Sequence, residues 1–157
     1  MTDEIKGRIY TAFASTASGL GYSEVHGRII GCLLITPNPV SLSTIAKETG
    51  YSPSMISLSL DFLENLDMIE RARKHGDRRL YVRMKGDLMK SLRKAVRGKL
   101  DKSVADSKKD FDSYKREIRK LPESEEKTKL LERVDVLDKE VKRFQRYVWL
   151  ISKITPP

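Results

Sequence analysis

The sequence predicts a mainly α-helical protein with a small β wing: a winged helix-turn-helix domain, then long C-terminal helices forming a helical hairpin or coiled-coil dimerisation region. Three observations predict this class. Two short apolar-striped segments, 42–49 and 53–66, each open on a serine and are separated by Gly50. A cation-rich strand–turn–strand pattern follows at 68–84. Beyond Gly86 the apolar residues recur at spacings of three and four to near the C-terminus.

Taken in order, Met1 to Ser18 reads as a helix with Ile5, Ile9, Ala12, Phe13 and Thr16 on one face. "SGLGY" ends it. Ser23 suits the N-cap of a second helix, 24–35, with an apolar face of Val25, Ile29, Ile30, Leu33 and Leu34. The two prolines of "TPNPV" stop that helix. Ser41 then caps 42–49, which buries Leu42, Ile45 and Ala46, and Gly50 closes it. Ser52 caps the next helix, where Pro53 falls at the first helical position and its missing N–H costs nothing. Ile56, Leu60 and Leu63 form the inward stripe, with Phe62 or Leu66 at its edge. Two helices joined by a tight glycine turn make a helix-turn-helix.

Met68–Lys74 and Arg78–Met84 read as two strands joined by the turn His75–Asp77. A hairpin after a helix-turn-helix is a wing. From Gly86, one long helix runs to Leu121 and a second from about Glu123 to Lys153, interrupted at Pro122. The second carries a 4,3 heptad seam. Val134, Val141 and Val148 take one position; Leu130, Leu137, Phe144 and Ile151 take the other. Such a seam suits two-stranded association, within the chain or between chains. Its spacing fits parallel and antiparallel pairing alike. The expected domains are therefore 1–86, a winged helix-turn-helix domain expected to bind DNA, and 87–157, a helical region expected to dimerise.

Charge sharpens the functional expectation. The chain of 157 residues has 31 Lys and Arg against 22 Asp and Glu, a net charge of +9. Residues 1–70 hold four cations and eight acids, whereas 71–85 hold seven cations and one acid. A patch of one sign suggests a polyanionic partner. Wing residues Arg73, Lys74, His75, Gly76, Arg78 and Arg79 are the candidate phosphate or minor-groove contacts. Ser52, Ser54, Met55, Ser57 and Leu58 point outward from the second helix of the helix-turn-helix, toward the major groove. No Lys or Arg lies between Ser52 and Asp67, so guanine readout by arginine is absent there. Ile5, Ile9, Val134, Leu137, Val141, Phe144, Val148 and Ile151 are the candidate dimerisation residues.

Other chemistry is not indicated. The chain has no G-x-S-x-G, Walker or G-x-G-x-x-G sequence, so no enzyme is expected. His26 and His75 lack companions at metal-ligand spacing, so neither a metal nor a cofactor is expected. His26 is expected in a helix interface or at the surface, and Tyr81 in core packing. Cys32, alone in an apolar helix, reads as a buried thiol, in keeping with a reducing cytoplasm. No signal peptide or membrane span is read, and no membrane partner is expected.

The run "SLSTIAKETGYSPSMISLSLDFLENLDMIER" with the wing "ARKHGDRRLYV" resembles MarR-type winged-helix transcription regulators. The leading "GYSEVHGRIIGCLLI" and the Gly-Asp-Arg-Arg wing look closest to the GbsR-like branch. The resemblance covers roughly the first 90 residues, and the carried positions are Ser52, Ser57, Leu63, Gly76 and Arg78. It implies a homodimer on pseudo-palindromic duplex DNA, with affinity in some members set by a small-molecule effector. Where the family has Gly before Met68, this chain has Asp67. Two alternatives stay open: a winged-helix interaction or scaffold module of the transcription machinery, and a nonspecific architectural DNA binder.

Overall fold

The fold is described from a computed structural model, covering residues 2–37, 39–73, 75–151 and 153. The chain divides into two compact units, Met1–Leu92 and Arg93–Pro157.

The first unit begins with α1 (Thr2–Gly19) and α2 (Glu24–Ile35). A two-residue strand β1 (Val40–Ser41) leads into α3 (Leu42–Thr49) and α4 (Pro53–Asn65). Strands β2 (Ile69–Ala72) and β3 (Tyr81–Met84) follow, and α5 (Leu88–Arg119) begins. The sheet is antiparallel in the order β1-β3-β2. Val40 and Arg71 both pair with Val82, which is fully buried. The core is Ile29 and Leu33 of α2, Ile45 of α3, Ile56, Leu60 and Leu63 of α4, and Ile69 and Val82 of the sheet. Each such side chain contributes about 1.5–3 kcal/mol when taken fully from water.

Capping follows the sequence at Ser41 and Ser52, whereas Ser23 stands at the N-cap of α2 without a side-chain cap hydrogen bond. The Ser41 hydroxyl accepts from the Thr44 N–H at 3.1 Å, and Ser52 Oγ from Met55 N–H at 3.3 Å. Gly50 closes α3 in the left-handed region at φ 76°, the conformation that glycine adopts without strain. Asp67 adopts φ 58°, alone among the described non-glycine residues. It thus occupies the left-handed position that the resemblance assigns to Gly.

Several expectations are corrected. Tyr10 and Ala14 are the buried residues of α1, while Ile5, Ala12 and Thr16 are exposed. Tyr10 is turned inward because its hydroxyl reaches Glu48 Oε2 at 3.0 Å, a polar exit for an otherwise buried ring. Leu34 is exposed, at the outer edge of the α2 stripe. β1 adds a strand that the sequence does not predict; its Ser41 serves as both strand residue and helix cap, so no period of two develops. The hairpin strands are shorter than read from sequence, because residues 73 and 75–80 lie outside them in the wing loop; Lys74 lies outside the described residues.

In the second unit, α5 continues to Arg119 and α6 runs from Glu125 to Ile151. Lys108 Nζ donates to Gln145 Oε1 at 2.8 Å, and Lys115 Nζ to Asp138 Oδ2 at 3.3 Å. These pairs make an antiparallel hairpin. Val104, Ile118 and Val134 are buried. Lys127 ties off the connection: its ammonium donates to the carbonyls of Arg119 (3.0 Å) and Leu121 (2.9 Å) and to Glu123. All three of its donors are used, so burial of this lysine is compensated.

The heptad seam splits in two. The inward-turned residues of α6 are Lys127, Leu131, Val134, Asp138, Val141, Gln145 and Val148. The valine row thus belongs to the hairpin. Leu130, Leu137, Phe144 and Ile151 are all exposed.

Candidate nucleic-acid interface

The turn between α3 and α4 uses a left-handed glycine, one intervening residue and a serine cap, so α4 starts abruptly and projects its first turns. Ser52, Ser54, Met55 and Leu58 are exposed, and Leu58 most of all at 72%. Ser57 is half-buried. Four of the five residues expected to point outward are thus exposed, and Ser57 is only partly so. The Ser52 hydroxyl is engaged in capping, which leaves Ser54 and Ser57 as the polar side chains of this surface without that duty.

The wing is less free than its sequence suggests. Arg71 forks onto Asp61 and Glu64 of α4. Arg83 Nε donates to Glu70 Oε1 at 2.6 Å, and Lys85 pairs with Asp67 at 3.1 Å. Arg79 is held by Asp77, its Nε 2.9 Å and its Nη2 2.7 Å from Oδ2. The Arg79 N–H and the Tyr81 hydroxyl donate to the same carboxylate at 2.9 and 2.7 Å. The Arg79 side-chain and backbone hydrogen bonds, and then that of Tyr81, hold the Asp77 carboxyl well below the usual carboxylate range. The bond to Asp77 raises the Tyr81 hydroxyl, because it favours the protonated phenol. The Arg79 guanidinium lies 5.6 Å from the Tyr81 ring centre, so a cation–π contact closes the cluster.

Arg73 and Arg78 differ from these. Both are exposed, and neither is ion-paired or hydrogen-bonded among the described residues. His75 and Gly76 are exposed between them, Gly76 at φ 78°. Over residues 61–85 the seven cations face five acids, Asp61, Glu64, Asp67, Glu70 and Asp77. The unneutralised charge is thereby concentrated at the tip. Sequence reasoning missed the acids because four of them precede Arg71. The Asp77-x-Arg79-x-Tyr81 spacing, which puts three side chains on one face of an extended chain, was the available signal.

The candidate dimerisation residues divide between two environments. Val134, Val141 and Val148 face the hairpin, Ile9 is half-buried, and Ile5, Leu137, Phe144 and Ile151 are exposed.

The first unit also holds a cavity of about 100 Å³, lined by apolar side chains including Phe13, Leu20, Ile30 and Leu88. His26 lines it, stacked on Phe62 at 4.4 Å. Its Nδ1 is buried without a hydrogen-bond partner, and burial lowers its pKa. Cys32 is fully buried, and burial pushes its thiol up. Among the described residues no cluster of three or more His, Cys, Asp or Glu is placed to hold a metal. None of the described helices is long and apolar enough to cross a membrane.

No family model and no curated protein matches this chain. Among solved structures it is similar to the crystal structure of a transcriptional regulator, with TM-score 0.62 and 19% identity over 94% of this chain and 95% of that one. A mutant of MepR from S. aureus bound to an oligodeoxyribonucleotide also matches, at TM-score 0.44 and 19% identity, over 90% and 94% of the two chains. ZitR of Lactococcus lactis, a zinc-responsive MarR family member, matches at TM-score 0.38 and 17% identity over 75% of each. At these identities, and with only the first above 0.5, the likeness extends to fold alone: helices with a small antiparallel sheet, arranged as a winged helix-turn-helix.

Proposed function

We propose that this chain is a DNA-binding transcription regulator, MarR-type and GbsR-like, that acts as a homodimer on duplex DNA in the cytoplasm. Residues 1–86 are the DNA-binding domain and 87–157 the dimerisation region. The observation that carries the reading is the pairing of an outward α4 face with a wing whose uncompensated cations, Arg73 and Arg78, sit at its tip. Ser54, Met55, Ser57 and Leu58 face the major groove, with the helix start at Ser52 against phosphate; hydroxyls meet base edges or phosphates, and the apolar pair meets thymine methyls. Arg73, Lys74, His75, Gly76 and Arg78 approach phosphate and the minor groove. Arg79 stands behind them, shaping the tip through Asp77 and Tyr81 while its exposed face adds charge. Arg71 fixes the wing base to α4, so wing and recognition helix present one surface.

A dimer that docks both recognition helices needs half-sites about 34–36 Å apart. The test is a salt series of gel shifts with genomic fragments, followed by sequencing of the retained DNA. A log–log slope of about −0.9 for each phosphate neutralised and enrichment of one palindromic motif are expected. Equal retention of random duplex instead assigns an architectural binder.

One observation favours a second reading, a protein-docking module. The outer face of α4 has no cation and exposes Met55 and Leu58. That reading requires no DNA retention at low salt and a stable heteromeric complex.

A further inference from the structure

We propose that the exposed row Leu130, Leu137, Phe144 and Ile151 of α6 pairs with the same row of a second copy in antiparallel register, about a two-fold axis at Glu140. This deepens the homodimer reading above and rests on it. The row is the half of the heptad seam turned away from the valine row, 44–60% exposed, with Ile151 also bordering Val96 and Leu100 of α5; Val136, Tyr147, Trp149 and Leu150 of the same helix are exposed beside it. It runs roughly 32 Å at 1.5 Å per residue. A groove on the same face, lined by Glu140, Arg143, Phe144, Tyr147, Val148 and Ile151, receives the opposing side chains.

Three features choose antiparallel over parallel pairing with self. The row maps onto itself under a two-fold rotation: Leu130 meets Ile151 and Leu137 meets Phe144, so each bulky ring faces a leucine. Parallel pairing sets Phe144 against Phe144. On the adjoining positions, Arg133 of one copy meets the Tyr147 ring of the other, a cation–π geometry, whereas parallel pairing brings Arg133 against Arg133. The charges along the helix are also unequal. Residues 125–138 carry five acids and three cations, and 139–151 carry four cations and one acid. Antiparallel helices lay the acidic half on the basic half; parallel helices stack like on like, which is unfavourable. At the axis the two Glu140 carboxylates approach, each already bound by its own Arg143 at 2.7 Å, so the signs alternate there. The interface is isologous, as a closed dimer requires.

Three single-cysteine variants of the full chain test this: Leu130→Cys, Glu140→Cys and Ile151→Cys, oxidised mildly and run without reductant. The native Cys32 is fully buried, so the unsubstituted chain serves as the blank. Glu140→Cys is expected to link to its own copy. Leu130→Cys and Ile151→Cys each lie about 30 Å from their own counterpart and stay monomeric on the gel, beyond disulfide reach. Mixed together, those two variants link to each other. Self-linking of Leu130→Cys or Ile151→Cys as fast as Glu140→Cys overturns the register in favour of parallel pairing. No link at any position in a chain that sediments as a dimer overturns the surface itself. Gel shifts on the same preparations separate the two readings. Glu140→Cys linking without DNA retention removes the regulator reading and keeps the pairing. DNA retention by an unlinked dimer does the reverse.

Discussion

Gly27 separates local helix propensity from tertiary packing. Replacing a helical Gly by Ala stabilises an open helix by about 1 kcal/mol, since glycine loses more backbone entropy on folding. At Gly27 an added Cβ would lie 2.2 Å from the Phe13 carbonyl oxygen and 2.8 Å from the Ala14 Cα, where ordinary contact begins at 3.4 Å. The obstacles are backbone atoms, so no rotamer change relieves them. α1 and α2 must separate by about 1 Å, which loosens the seats of Tyr10 and Ala14; overpacking of this kind costs about 1–3 kcal/mol, occasionally more. Gly27→Ala is therefore expected to lower stability by about 2 kcal/mol despite its better propensity. Gly7 and Gly98, also helical, meet nothing within 4 Å. Gly7→Ala and Gly98→Ala are expected to gain about 0.5–1 kcal/mol. Urea unfolding followed by circular dichroism at one protein concentration measures all three. With slopes of about 1–3 kcal/mol per molar urea, the Gly27 midpoint falls by roughly 0.7–2 M. A Gly27→Ala protein as stable as the unsubstituted chain, or shifted in the same direction as the Gly98 variant, would refute the close approach of α1 and α2.

Asp67→Gly is expected to stabilise by about 0.5–1 kcal/mol. It relieves the left-handed backbone at φ 58°, while the exposed pair with Lys85 that it removes contributes little. Thermal unfolding checks it, and a loss would show that the pair matters more than the strain. His26 carries a lowered pKa from burial, so on acidification the unfolded chain binds the proton first. Its effect is absent above about 6.5, and stability is expected to decline as pH falls below that value toward the lowered folded one. His26→Phe keeps the stack on Phe62 and removes both the titration and the unpaired Nδ1; a gain of about 1 kcal/mol at pH 7 and a flatter profile to pH 5 are expected in denaturant titrations. A profile that His26→Phe leaves unchanged assigns the acid loss elsewhere. Arg78→Ala is expected to weaken binding to all DNA sequences alike and to reduce the salt slope by about 0.9 for each phosphate the side chain neutralises. Weakening confined to one operator would instead make Arg78 a base reader.

The winged domain was legible because its signals are local. Ser41 and Ser52 cap the helices that follow them, Gly50 takes the left-handed turn between, and Ile56, Leu60 and Leu63 repeat at helical spacing onto one buried face. The inward face of α1 was not, because hydropathy alone ranks Ile5 above Tyr10. Ring burial with a hydroxyl bonded to Glu48, 38 residues away, reverses that order, and no window of α1 contains Glu48. β1 escapes for a related reason: two residues have no period, and only pairing with β3 makes Val40–Ser41 a strand. The heptad in α6 is legible as a repeat. Which half of it the hairpin consumes depends on Lys108 and Lys115, which draw Gln145 and Asp138 inward beside the valine row.

The wing shows the same limit in charge rather than packing. A window from Arg71 to Lys85 has seven cations and one acid, and by itself implies a uniformly adhesive hairpin. Folding brings Asp61 and Glu64 to Arg71, Glu70 to Arg83, and Asp67 to Lys85. These pairs are partly exposed and so contribute little to stability. Their consequence is distribution: Arg71, Arg83 and Lys85 at the wing base are matched to acids of α4, β2 and the turn between them, and Arg79 to Asp77, whereas Arg73 and Arg78 at the tip are not, among the described residues. A strand ladder needs its base held in register, whereas phosphate binding needs charge at the end that reaches the backbone. On the proposed DNA-binding reading, the arrangement separates these two duties along one hairpin. Arg73 and Arg78 are therefore the positions where charge removal should alter DNA retention most directly, whereas removing Arg71 should act through the position of the wing on α4.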